Sequence, residues 1–162
     1  MKRIADNGNV AVVNPSTEKQ KRMAISAVKE PEISKADKIV LYAPEGWGKS
    51  TWASNAEKTV FLSTEEGLKG VVDRFGKIPQ SFPEPETWEE VFDAVESLRN
   101  EKHEFKTLAI DTADWTEHLC HEYVKKVTKT DSIEKIGGGY GKGYVFAFEE
   151  WKRLLSPLNV LR

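Results

Sequence analysis

The chain has 162 residues, 39% of them apolar and 31% charged, with a formal net charge of −2. That length suits one domain with an ordinary core, and the charge excludes a molecule that is basic overall while leaving room for a local basic surface. The single cysteine, Cys120, excludes an internal disulfide framework. No apolar run approaches the roughly 18 residues of a bilayer-spanning helix, and no signal-peptide core follows Lys2-Arg3. The expectation is a cytoplasmic protein with no membrane contact.

Residues 1–37 carry no sustained periodicity and read as a partly flexible leader. Within it, Val10–Val13 suits a short strand ended by Asn14-Pro15-Ser16, a basic stretch follows at Lys19, Lys21 and Arg22, and a short helix is expected around residues 22–28. The organised domain is expected to span 38–162. It starts with an apolar strand over Lys38–Tyr42, a glycine-bearing turn over 43–48 and a helix over 49–57. A second strand covers Thr59–Ser63 and a short helix Glu66–Phe75, and the proline-rich segment Ile78–Pro85 reads as loop.

Thr87-Trp88-Glu89-Glu90 has the form of a capping box. Trp88, Val91, Phe92, Val95 and Leu98 then follow at helical spacing. A third strand, Thr107–Ile110, ends in Asp111. The next helix, Asp114–Val127, carries Trp115, Leu119, Tyr123 and Val127 along one stripe. A glycine-rich loop at 137–143 leads to a last helix over 144–155, stopped near Pro157. Alternating strands and helices predict an α/β fold with a mostly parallel sheet.

The most specific segment is KIVLYAPEGWGKST, residues 38–51. Strand, glycine turn and helix start in this order form a cradle for phosphate oxygens, because Gly46 and Gly48 let successive N–H groups face an anion at a helix N-terminus. Lys49 suits contact with the β- and γ-phosphates, Ser50 a bound Mg²⁺, and Thr51 a cap or the α-phosphate region. Glu45, Gly46, Trp47, Gly48, Lys49, Ser50 and Thr51 are therefore the expected nucleotide-binding residues. The pattern G-x-x-x-x-G-K-[ST] fails only at its first position, where Ala43 stands. Alanine there costs roughly 1–2 kcal/mol if φ is positive and little if the residue is extended. Trp47 has two readings, stacking on a nucleotide or neighbouring chain and packing across the turn.

Asp111 lies at the carboxyl end of its strand, where open α/β sheets place their ligands, and is the expected Mg²⁺-associated acid. Glu65, just past the second strand, is placed to orient an attacking water. Glu66 then starts the next helix. His118, Cys120, His121 and Glu122 invite a metal reading, but helical spacing disperses them. Around the five glycines of residues 137–143, Lys135, Tyr140, Lys142 and Tyr144 interleave charge with aromatic faces. Three readings stand for this loop: a single-stranded nucleic-acid contact, a nucleotide or subunit contact, and a mobile linker.

Four segments together, KIVLYAPEGWGKST, TVFLSTEEGL, FKTLAIDTADW and GGGYGKGYVFAFEEWKRLL, span about residues 38–155. In this order they resemble the ATP-binding proteins of tailed phages within the RecA-like P-loop NTPases, especially the single-strand-annealing and recombination-associated group. The resemblance implies a RecA-like core binding ATP and Mg²⁺ and coupling hydrolysis to single-stranded DNA. Lys49 and Ser50 match the phosphate and Mg²⁺ residues, Asp111 the metal-associated acid and Glu65 the catalytic glutamate. Lys135, Tyr140, Lys142 and Tyr144 occupy the region of a DNA-contacting loop. It further implies a bacterial host cell as location, with a homo-oligomer and phage or host recombination proteins as partners.

Two departures accompany it: Ala43, and the end of the chain before a later sensor-bearing strand, so that a C-terminally incomplete core is expected. A nucleotide-responsive binding module without turnover and an ATP-dependent small-molecule kinase are the competing functions.

Overall fold

Thr59–Ser63 (β1) is the strand on which the sheet is assembled. In the computed structural model, which describes residues 25–30 and 37–159, β1 pairs in parallel with Gln80–Ser81 (β2) on one edge. Thr107–Asp111 (β3) pairs in parallel on the other, giving the order β2-β1-β3. Val60, Phe61 and Leu62 are all buried, so β1 is covered on both faces, as suits the middle strand of a parallel sheet. The register sets Thr59 beside Thr107 and Ser63 beside Asp111. Both strands therefore end at one edge of the sheet.

Contacts divide the chain into two units, Met1–Ile33 and Ser34–Arg162, each described by itself. The division falls slightly before the expected boundary at 37/38. In the first unit the described residues show a 3-10 turn, Ile25–Ala27, within the span expected to be helical. The expected strand at 10–13 and the basic stretch at 19–22 lie outside the described residues, as do residues 160–162.

Three helices, Trp88–Asn100 (α2), Ala113–Thr128 (α3) and Lys142–Leu158 (α4), pack on the sheet face that carries Leu62, Leu108 and Ile110. Their shared core includes Val91 and Val95 of α2, Cys120 and Val124 of α3, and Ala147 and Leu154 of α4. Trp88 is buried among them, edge-on to Phe92 and Trp151 with ring centroids 5.5 and 5.4 Å away. The capping box forms as expected: Glu90 N donates to Thr87 Oγ1 at 3.2 Å, and Thr87 N donates to Glu90 Oε2 at 3.3 Å.

The buried stripe of α3 lies one residue on from the expected one. Thr116, Cys120 and Val124 face the core, Leu119 and Tyr123 flank it, and Trp115 and Val127 are exposed. Size is the reason: small residues on this line let α4 approach until Cys120 Sγ donates to the Ala147 carbonyl at 3.6 Å. Gly143 serves a second close approach, that of α4 to the 3-10 segment Ile133–Gly138. It is buried in the first turn of α4, where a Cβ would overlap the carbonyl oxygen of Ile133.

Several expectations are corrected. Residues 38–42 do not form a strand: Val40 is 94% exposed, and among the described residues no ladder partner reaches them. An apolar run becomes a strand only when another strand supplies its hydrogen bonds. Here β1 is occupied on both edges, and residues 38–42 form no ladder with the outer edge of β3. The helix expected over 66–75 is a series of turns. Gly70 takes φ +80°, and Asp73 Oδ1 accepts from Phe75 N at 2.8 Å and Lys77 N at 2.9 Å, a local alternative to helical bonding. The expected loop 78–85 contains β2, anchored where Phe82 N donates to Phe61 O at 2.8 Å.

The first helix, Lys49–Ser54 (α1), is shorter than 49–57, because the side chains of Ser54 and Asn55 both bond the Thr51 carbonyl, at 2.8 and 2.7 Å. The glycine loop is also shorter. A 3-10 segment, Ile133–Gly138, precedes it, α4 begins at Lys142, and α4 runs through Pro157 to Leu158. Gly143, counted in the sequence as loop flexibility, is a packing glycine.

Gly143→Ala is expected to cost about 1–3 kcal/mol, the usual effect of overpacking, read as a lower urea midpoint at unchanged slope. A second expectation concerns Cys120. Burial, then the charges of Glu150 and Glu117, push its thiol from 9.0 up to about 12. Below pH 9 the thiol is protonated folded and unfolded alike, so it adds no pH dependence. Above 9 the unfolded thiol ionises first, and stability falls as the pH rises towards 12. Comparison of the unfolding free energy of the wild type and Cys120→Ala across pH 8–11 checks this: the difference between them should narrow as pH rises.

Candidate functional site

The turn at 45–48 is shaped by two left-handed glycines, Gly46 at φ +79° and Gly48 at φ +78°. Gly48 is the N-cap residue of α1, and Trp52 N donates to its carbonyl at 2.8 Å. Ala43 is absent from the positive-φ residues, so the missing first glycine costs no left-handed strain here. Only the glycines that are present take that conformation in the turn. Glu45 and Thr51 are exposed beside it.

Lys49 folds back over the turn it follows. Its ammonium donates to the Ala43 carbonyl at 2.8 Å and the Pro44 carbonyl at 3.1 Å, which places the charge across the mouth of the loop. Trp47 is 75% exposed, so packing across the turn is not what holds it. Trp52, which the sequence reading passed over, is also more than half exposed on α1.

The decisive contact joins residues 61 positions apart: Ser50 Oγ donates to Asp111 Oδ2 at 2.6 Å. The first residue is on α1 and the second at the end of β3, so the fold brings the hydroxyl of the cradle to the strand-end carboxylate. Two hard oxygen donors from one hydroxyl and one carboxylate are the donor type that Mg²⁺ takes in phosphoryl-transfer sites, where phosphate and water supply the rest. Among the described residues no group of three or more His, Cys, Asp or Glu gathers in a metal-holding arrangement, at this edge or elsewhere.

Glu65 stands two residues beyond Ser63, the register partner of Asp111, and is partly buried. Ser63 Oγ donates to its carbonyl at 2.8 Å, and its side chain turns toward Gly67, where a Cβ would lie 3.7 Å from Oε1. Thr64, between them, ties the two strand ends together. Thr64 N donates to Asp111 O at 2.9 Å, and its hydroxyl bonds both N–H and C=O of Thr112. The sequence marks this residue only as the position where an apolar run stops.

The loop residues occupy a separate region of the same unit. Tyr140 is fully exposed at φ +56°. Tyr144, half exposed on the first turn of α4, sits edge-on to His121 with centroids 5.7 Å apart. Lys142 runs its aliphatic stem along Gly137. Lys135 is bound to Asp131 at 2.9 Å, and that ammonium holds the Asp131 carboxyl below its usual range. Lys125 pairs with Glu122 at 2.5 Å and Lys126 with Glu89 at 3.2 Å. Three lysines in and near this segment, Lys125, Lys126 and Lys135, are thus offset by carboxylates. On α3, His118 faces Glu122 and His121 faces Glu117, while Cys120 points to the core.

A family model described as an AAA domain matches residues 35–162. The chain belongs to the AAA domain family. No curated protein and no solved structure matches it. Membership makes the AAA domain here a P-loop NTPase domain over most of the chain, in agreement with its parallel sheet, flanking helices and glycine turn. No described helix of this AAA domain is long and apolar enough to cross a membrane.

The Ser50–Asp111 contact gives an expectation for the AAA domain without ligand. Asp111→Asn keeps shape and hydrogen-bonding capacity but removes the ionised acceptor. Its unfolding free energy should fall by about 0.5–1.5 kcal/mol, measured by urea denaturation in EDTA.

Proposed function

We propose that this AAA domain binds and hydrolyses ATP with Mg²⁺ at the edge formed by α1, β1 and β3. The observation that carries the reading is the 2.6 Å contact between Ser50 and Asp111 beside a glycine turn closed by Lys49. Lys49 leaves the Ala43 and Pro44 carbonyls for the β- and γ-phosphate oxygens, which are better acceptors for an ammonium because they carry full charge. The N–H groups of Glu45, Gly46, Trp47, Gly48 and Thr51 line the phosphate path. Ser50 and Asp111 would hold Mg²⁺, which would supply positive charge against that of the triphosphate. Glu65, set on the neighbouring strand end, orients the attacking water and accepts its proton.

The finer reading is that turnover is coupled to single-stranded DNA in phage recombination or replication, in a RecA-like arrangement with a homo-oligomer or recombination proteins as partners. The sequence resemblance supports it, together with a fully exposed Tyr140, a half-exposed Tyr144 and Lys142 beside a glycine loop. Tyr140 and Tyr144 supply stacking faces and Lys142 charge, with Lys135 adding charge only when it leaves Asp131 for a phosphate. The ion pairs of Lys125, Lys126 and Lys135 make stacking a larger share of the contact than charge.

Two measurements test these statements. ATP binding and turnover are followed with and without Mg²⁺ and single-stranded DNA. Glu65→Gln should lower kcat by about 100-fold or more with nucleotide affinity retained, and unchanged turnover would remove Glu65 from the mechanism. Binding without turnover in the wild type would instead make the chain a nucleotide-responsive module. For DNA, Tyr140→Ala should weaken single-strand binding by about 1–3 kcal/mol. Lys142→Ala should flatten the salt dependence by about 0.7 in log–log slope. No DNA binding at low salt would dismiss the coupling.

A further inference from the structure

We propose that Thr64 is a positioning residue for Asp111, fixing where the metal-holding carboxylate stands and tying it to the backbone that carries Glu65. The inference rests on the reading of Ser50 and Asp111 as the Mg²⁺-holding residues of a nucleotide site.

A threonine hydroxyl has one proton to donate and lone pairs to accept with. In Thr64 both functions go to one residue: Oγ1 donates to Thr112 O at 3.0 Å and accepts from Thr112 N at 3.1 Å. Its main-chain N donates to Asp111 O at 2.9 Å. The parallel register ends at Ser63 beside Asp111, and these three bonds continue it by one rung, two of them made by the side chain. Thr112 is held from its other side as well, since Thr116 Oγ1 donates to its carbonyl at 2.8 Å and Thr116 is fully buried.

The backbone immediately after Asp111 is therefore fixed from two elements. Asp111 itself needs only its side-chain torsions set to meet Ser50 Oγ. Thr64 is buried and touches neither Ser50 nor the cradle through any hydrogen bond among the described residues, so it acts through Asp111. Because Glu65 is the next residue, the same anchor limits how far Glu65 and Asp111 can separate.

The test uses the full chain with three variants and two binding readouts. Mn²⁺ affinity in the presence of ADP is read by electron paramagnetic resonance, and ADP affinity in EDTA by calorimetry. Thr64→Val keeps the shape and deletes the hydroxyl; Thr64→Ser keeps the hydroxyl. Partners that orient a ligating carboxylate typically matter by about 10–100-fold in metal affinity. The expected result is a Mn²⁺ loss of that size in Thr64→Val, with ADP affinity in EDTA unchanged and Thr64→Ser close to wild type.

Wild-type Mn²⁺ affinity in Thr64→Val would overturn the inference. So would an equal loss in Val and Ser, or a loss matched by ADP affinity in EDTA, because each marks a purely structural role. If Thr64→Val does not fold, Thr64→Cys, whose thiol is a weak donor and acceptor, is read by the same criteria. A wild type that holds no Mn²⁺ with ADP would overturn the reading of Ser50 and Asp111, and this inference with it, before any variant is compared.

Discussion

The parallel pairing of β1 with β3 is the constraint on which the rest of the molecule depends. It fixes Ser63 beside Asp111 and brings two strand ends to one edge of the sheet. Parallel strands need a crossover, and here the intervening chain supplies β2 and α2, so the helical layer is a consequence of the pairing as much as a cover for it. Leu62, Leu108 and Ile110 project to the helical side, and α2, α3 and α4 gather over them. Loss of that register would move every apolar side chain of β1 to the opposite face and would separate Asp111 from Ser50.

Above this base, the packing of α3 against α4 depends on small residues. Cys120 and Ala147 meet where larger side chains would hold the helices apart, and Gly143 lets the start of α4 close on the Ile133 carbonyl of the 3-10 segment. Close helices then fix the start of α4, and with it the exposed turn that presents Tyr140. The glycines on either side of that turn have two physical roles. Gly141 supplies a left-handed conformation before the helix, whereas Gly143 admits a neighbouring carbonyl. Composition counts them alike.

Charge follows the same division between local and tertiary causes. Lys135 meets Asp131 and Lys125 meets Glu122 within a single turn of chain, pairs legible from spacing alone. Lys126 meets Glu89 across helices, which spacing does not reveal. Such exposed pairs contribute little to stability, but they decide how much uncompensated positive charge the surface offers to an anionic partner.

The sequence by itself determined the elements whose signals are local. The capping box at Thr87 and Glu90, the strands 59–63 and 107–111, the helices beginning near 88 and 113, and the glycine–lysine–serine turn all follow from neighbours within a few residues. It also paired Ser50 with Asp111 as an expectation, because a cradle and a strand-end carboxylate have complementary chemistry, and the two side chains are in contact. Tertiary structure alone decided which apolar runs became strands. Residues 38–42 have the composition of a strand and find no ladder, while Gln80–Ser81 has little of it and is hydrogen-bonded to β1. It alone also chose the buried line of α3 and gave Thr64 its partners 48 residues away. Hydrogen bonds between strands and close contacts between helices belong to pairs of segments, so no single segment carries the information that forms them.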